Sequence, residues 1–156
     1  MKILSLNTWT EKGPWRERWE IIFNAIAQMQ PDMIAFQEIF NPEWAREVQT
    51  RLGYPELVYL PESETSGLTV LSKFRVIRST SFKLKTQSPR TEPLRFFLFA
   101  EFQTGGSKVS ILNTHLTWRV NESEIRRAQV EEILKFIEKQ NSEQKIIICG
   151  DFNAGP

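Results

Sequence analysis

Cysteine is almost absent from this chain. Cys149 stands alone among 156 residues, so no disulfide can form within it. That usage fits a cytoplasmic protein in which Cys149 is a small core residue of a strand. No apolar run approaches the roughly 18 residues that span a bilayer. The opening MKILSLNTW turns polar too soon for a secretory leader. There is no internal repeat and no low-complexity stretch. Net charge is also scant: 20 Lys and Arg against 19 Asp and Glu leave +1, so the chain as a whole is not built to attract polyanions. The charges are nevertheless segregated. Residues 11–64 hold ten acids and five bases, whereas 73–95 hold seven bases (Lys73, Arg75, Arg78, Lys83, Lys85, Arg90, Arg95) and one acid, Glu92. Two readings of the basic segment are open: a patch that steers a phosphate-bearing substrate, and a solvated strand face.

What is present is an ordinary globular composition, 40% hydrophobic and 25% charged, at a length that suits one domain. Met1 to Asn7 reads as a strand. Trp15, Trp19, Ile22, Ile26 and Met29 recur at spacings of four and three, the stripe of an amphipathic helix, which Pro31 ends. Asp32 to Glu38 is a second strand. Asn41-Pro42 opens a second helix as N-cap and first residue, and Gly53 closes it. The middle then changes to strands over 67–72, 76–84, 95–102 and 109–115, with a hairpin turn at Thr104-Gly105-Gly106-Ser107. A helix over 123–139 and a strand over 145–151 follow. This order predicts an α/β chain with a mixed sheet. Apolar strands such as MIAF and IIIC call for burial on both faces. Three helices cover one face of such a sheet, and nothing in the chain is evident to cover the other.

Four apolar strands end in a polar residue: Asn7, Glu38, His115 and Asp151, the last with Asn153 two positions on. Functional groups of α/β sheets gather at the carboxyl ends of strands. Asn113, His115 and Thr117 share one strand face, as do Asp151 and Asn153. Each has a bland reading, such as a turn cap, a surface ion pair or a hydrogen-bonded core histidine. Together they carry a coherent chemistry. Glu38 can hold Mg²⁺, which takes one or two carboxylates and keeps waters, and Asn7 can fix that carboxylate or a metal-bound water. Asp151 can orient or deprotonate an attacking water. Asn153 and His115 can donate to phosphate oxygens as charge builds. Trp9 and Trp118 each follow one of these positions, and two readings are open for them, an aromatic wall for substrate and packing beneath the site.

The stretches SLNTW, PDMIAFQE, SGLTVLSKF, NTHL and GDFN, in that order and spacing, resemble the endonuclease/exonuclease/phosphatase superfamily. The resemblance implies a four-layer α/β sandwich with two sheets face to face, of which this chain supplies mainly the first sheet and its covering helices. It implies a metal-dependent phosphoester hydrolase using Mg²⁺ or Mn²⁺, with nucleic acid, a phospholipid head group or a soluble phosphoester as substrate. It assigns Glu38 and Asn7 to the metal, His115 to phosphate, and Asp151 and Asn153 to water activation and transition-state contact. Arg126, Arg127 and Gln129 stand where the family often has an arginine and a glutamine on the helix between the last two motifs, and Arg126 is expected to bind substrate. Family domains are longer and end with an Asp-His pair, so residues 1–156 are expected to be the N-terminal portion of one domain. Gly155-Pro156 would then begin the loop into the remainder. By itself, such a half-domain is expected to be catalytically incompetent without its remainder or a partner chain, and to self-associate through a bare sheet face.

Overall fold

The computed structural model describes residues 1–90, 93–141 and 143–154; Glu92, Gly155 and Pro156, named above, lie outside them. In chain order the elements are β1 (Ile3–Asn7), α1 (Trp15–Met29), β2 (Met33–Gln37), α2 (Pro42–Leu52), β3 (Glu56–Ser63), β4 (Ser66–Ser72), β5 (Val76–Lys83), β6 (Phe96–Thr104), β7 (Ser107–His115), α3 (Ser123–Ile137) and β8 (Lys145–Asp151). The caps of α2 are those expected. The Asn41 side chain accepts from the Trp44 N–H at 2.7 Å, Pro42 takes the first turn, and Gly53 closes the helix in the left-handed region at φ 72°. The strand β3 was not anticipated. Pro61 and the acids Glu56 and Glu62 obscure its apolar alternation, yet it pairs with β4 along its length.

The strands form two four-stranded sheets, β1-β2-β4-β3 and β5-β6-β7-β8. Each is mixed: β1 and β2 run parallel, as do β7 and β8, and the other pairings are antiparallel. This corrects the expectation of a single sheet with one face bare. The central hairpins divide between the layers, β3–β4 into the first sheet and β5–β6–β7 into the second. The inner faces then bury each other: Met33, Ala35, Leu68 and Val70 meet Leu98, Ala100, Phe102 and Ile111. Outside them, α1 and α2 cover the first sheet through Trp19, Phe23, Trp44 and Val48 on Ile34, Phe36 and Leu71. The helix α3 covers the second, with Ile133 and Phe136 on Phe97, Phe99 and Leu112. The result is a four-layer α/β sandwich. Each large apolar side chain so buried contributes about 1.5–3 kcal/mol, and the face through which self-association was expected is filled by the chain's own second sheet.

Strand parity connects this core to the site. Side chains two apart share a face, so each inward row can be followed to its end. Ile3 leads through Ser5 to Asn7 in β1, and Met33 and Ala35 lead to Gln37 in β2. Val58 and Leu60 lead to Glu62 in β3. Val109 and Ile111 lead to Asn113 and His115 in β7, and Ile147 and Cys149 lead to Asp151 in β8. At one end of the sandwich, these five inward rows become polar. Cys149 is a buried free thiol in that layer, as its sequence setting indicated.

Candidate active site

The polar ends converge because the parallel pairs hold them in register. Asn7 stands opposite Gln37 and His115 opposite Asp151. Beneath the opening, Asn113 fastens the two sheets. Its Nδ2 donates to the carbonyls of Phe36 (2.8 Å) and Thr69 (3.1 Å), and its Oδ1 accepts from Gln37 Nε2 at 2.7 Å. Above this layer a cavity of about 400 Å³ is lined by Asn7, Trp9, Glu38, His115, Trp118, Asp151 and Asn153, together with Ser66 and Arg95.

At its centre is one side-chain amide. Asn7 Nδ2 donates to Glu38 Oε1 at 3.0 Å and to Asp151 Oδ2 at 2.8 Å, so it brings together two carboxylates from different sheets. Its Oδ1 accepts from the Trp9 N–H at 2.9 Å. Asp151 Oδ1 accepts from the Asn153 N–H at 2.9 Å, and Asn153 Nδ2 donates to the Leu116 carbonyl at 2.9 Å. Glu38 departs from strand parity. A residue after Gln37 would point outward, but Glu38 adopts φ 62°, and this left-handed turn swings its carboxylate over the end of the sandwich. The Thr8 hydroxyl holds the turn, shared between the carbonyls of Gln37 (3.1 Å) and Glu38 (3.0 Å). Four of the five non-glycine residues with positive φ among the described residues are Trp9, Thr10, Glu38 and Asn153. Each such conformation costs about 1–3 kcal/mol and marks a site whose surroundings impose it. Gly150 sits at φ 152°, where a Cβ would stand 2.4 Å from the Thr114 carbonyl oxygen, so only glycine lets β8 deliver Asp151 here.

His115 is 4% exposed and reaches the cavity with one ring edge. Arg95 Nη1 lies 3.2 Å from His115 Nδ1. A guanidinium only donates, so Nδ1 carries the lone pair and Nε2 the proton. That Nε2 faces both carboxylates, 3.9 Å from Glu38 Oε1 and 3.9 Å from Asp151 Oδ2. Behind the ring, Glu62 Oε2 is 4.0 Å from Nδ1. Neither Glu62 oxygen finds full hydrogen-bond geometry. Burial pushes this carboxyl up to about 8 from its ordinary 4.5, against the pull of Arg95 and with a further push from Glu38. The folded state therefore holds a proton that the unfolded chain has already released. Stability is full below about 4.5 and declines as pH rises through about 8. Glu62→Gln is expected to remove that decline. Urea unfolding of both proteins from about pH 5 to about pH 9 checks it, and parallel curves would show that Glu62 does not titrate this way.

Sequence reasoning missed Glu62, although its parity with Val58 and Leu60 is the signal that could have found it. Arg126 is not brought into the cavity; its Nη1 donates to the Arg119 carbonyl at 2.5 Å and fastens the segment after β7. The basic segment is not one patch either. Lys73 pairs with Asp32, Arg78 with Glu101 and Arg90 with Glu122, which leaves Arg95 as the base from this segment that lines the cavity.

The endonuclease/exonuclease/phosphatase family profile matches residues 4–156. The chain belongs to this family. Its name covers enzymes that cleave phosphoesters. The chain is 28% identical to Nocturnin of Rattus norvegicus over 91% of its own length, but spans only 37% of that relative. Its backbone is similar to D. rerio TDP2 complexed with a single-strand DNA product, at TM-score 0.84 and 21% identity, over 100% of this chain and 62% of that one. It is also similar to the human Nocturnin catalytic domain with bound sulfate, at TM-score 0.80 and 24% identity, over 100% of this chain and 66% of that one. No described helix is long and apolar enough to cross a membrane.

The donor set fits a hard divalent ion. No group of three or more His, Cys, Asp or Glu forms a metal cage among the described residues. Glu38 and Asp151, linked by the Asn7 amide, offer the one or two carboxylates that would suffice for a Mg²⁺ keeping most of its waters.

Proposed function

We propose that this site hydrolyses a phosphoester by attack of water on phosphorus, with a Mg²⁺-type ion held through Glu38; Mn²⁺ is the alternative metal. The observation that carries this reading is the Asn7 amide, which joins Glu38 and Asp151 across the two sheets. When bound, the ion would polarise the phosphoryl oxygens and neutralise developing charge. Asn7 keeps the Glu38 carboxylate aimed at that position, and its bond to Asp151 fixes the second carboxylate beside it. Asp151, pinned at both oxygens, orients the attacking water and accepts its proton. His115 presents its Nε2 proton to a phosphoryl oxygen, and the Asn153 amide adds a second donor as negative charge builds.

The substrate is drawn from nucleic acids, phospholipid head groups and soluble phosphoesters. The similarity to TDP2 complexed with a single-strand DNA product supports the first of these. Hydrolysis of bis(p-nitrophenyl) phosphate by the full-length protein tests the reading. Turnover with Mg²⁺ or Mn²⁺ that stops on adding chelator is expected; turnover indifferent to chelator would overturn it. A second reading is that residues 1–156 hold the constellation without turning over alone. It is favoured by their spanning 37% of the rat relative, and assaying the 156-residue chain beside the full-length protein separates the two.

A further inference from the structure

Two indoles stand among the mostly polar residues that line the cavity, with Pro93 also on its wall, and both indoles are open. Trp9 is 52% and Trp118 53% exposed. Neither packs beneath the site, so the bland reading of these tryptophans does not describe them. Trp9 is exposed and at the same time fixed. It stands on two successive left-handed residues, Trp9 at φ 57° and Thr10 at φ 46°. Arg18, from α1, clamps that bend. Its Nε donates to the Thr8 carbonyl (3.2 Å), its Nη1 to Lys12 (2.9 Å), and its Nη2 to Trp9 (3.3 Å) and Thr10 (3.0 Å). The guanidinium carbon also lies 5.3 Å from the Trp9 ring centroid. Gly13 turns the chain beside the ring in the left-handed region, at φ 60°, a conformation that favours glycine. The Trp9 N–H bonds to Asn7 Oδ1, which ties the indole to the amide that joins the two carboxylates. Trp118 has a cation of its own, with the Arg119 guanidinium carbon 4.7 Å from its ring centroid.

We propose that Trp9 and Trp118 are stacking platforms for a flat aromatic ring carried by the substrate close to its phosphate, and that Arg18 is the positioning residue that locks Trp9 in its pose. This rests on the phosphoester reading and narrows it: the site selects ring-bearing phosphoesters over alkyl ones. Stacking needs only a π-face, so it accepts a nucleobase or a simple aryl group alike.

Dissociation constants of inorganic, ethyl and phenyl phosphate and of thymidine 5′-phosphate, measured calorimetrically on the full-length protein with Mg²⁺, test it. Phenyl phosphate and the nucleotide should bind about tenfold tighter than ethyl phosphate. Trp9→Ala and Trp118→Ala should each erase most of that preference and keep inorganic phosphate within about twofold. Trp9→Leu serves where the alanine variant unfolds. Arg18→Lys keeps the charge without the four-carbonyl fork, and should lower the ring preference and not the phosphate affinity. A nucleotide that outbinds phenyl phosphate identifies the ring as a nucleobase; equal affinity identifies any aryl group. Equal binding of ethyl and phenyl phosphate by the wild type, or a preference that survives loss of both indoles, overturns the inference and leaves the phosphoester reading standing. Failure of inorganic phosphate to bind at all removes both.

Discussion

Glu38→Gln is expected to lower phosphoester turnover by on the order of 10²–10³-fold or more. The substitution keeps the length and shape of the side chain and removes its charge. Oε1 of the replacement amide can still accept from Asn7, so the junction between the sheets should survive and the protein should melt as the wild type does. What is lost is the anionic oxygen that would hold the metal, which the left-handed backbone of Glu38 swings over the end of the sandwich. Asn7→Ala should be milder, about 10–100-fold, because it frees two carboxylates without deleting either. The rate of aryl phosphodiester hydrolysis in the full-length protein, with metal concentration varied, distinguishes the cases. Glu38→Gln should also shift the metal dependence to higher concentration. Wild-type rates in Glu38→Gln would falsify the assignment of Glu38 to the metal.

The second large effect concerns stability. Asn113→Ala is expected to reduce the unfolding free energy by about 3–5 kcal/mol, or roughly 10 °C in Tm. The residue is fully buried and makes three hydrogen bonds across the sheet interface. Alanine would take the Asn113 donor from the carbonyls of Phe36 and Thr69 in a layer with no ready access for water, and would leave the Gln37 amide only its longer bonds, 3.3 Å to Ser5 Oγ and 3.3 Å to the Ala35 carbonyl; each buried group left short of a partner costs about 1–3 kcal/mol. A domain of ordinary stability, about 5–15 kcal/mol, would keep a folded state but a fragile one. The site should loosen with it, because Gln37 adjoins Glu38. Chemical denaturation gives the number, and a loss under about 1 kcal/mol would show that the sheets are held by apolar packing alone.

Much of the site was legible because strand parity and strand ends are local. Asn7, His115 and Asp151 each close an apolar row, and Glu38 follows one. All four line the cavity. Glu62 was not legible because Pro61 and the neighbouring acids hide the strand that carries it. Arg126 was assigned by resemblance, and its short bond to the Arg119 carbonyl shows where its guanidinium is directed. Two readings of the bases of 73–95 stayed open because proximity in sequence does not fix proximity in space. In the sandwich Lys73, Arg78 and Arg90 face different acids, Asp32, Glu101 and Glu122.

By itself the sequence determined the helices, most of the strands, which side chains share a face, and the identity of the polar residues that end the rows. Those properties depend on neighbours within a few positions, where backbone sterics and side-chain period act. Tertiary structure alone decided how the strands were divided between two sheets, and so turned an expected bare face into the central core. It also decided that Asn7 would bond to Asp151, 144 residues away, and that Glu38 would turn against its strand's parity to join them. The period of a strand says that it has two faces and not which other strand each face will meet. That choice is made by the mutual burial of apolar rows far apart in the chain, and the site forms where those rows end.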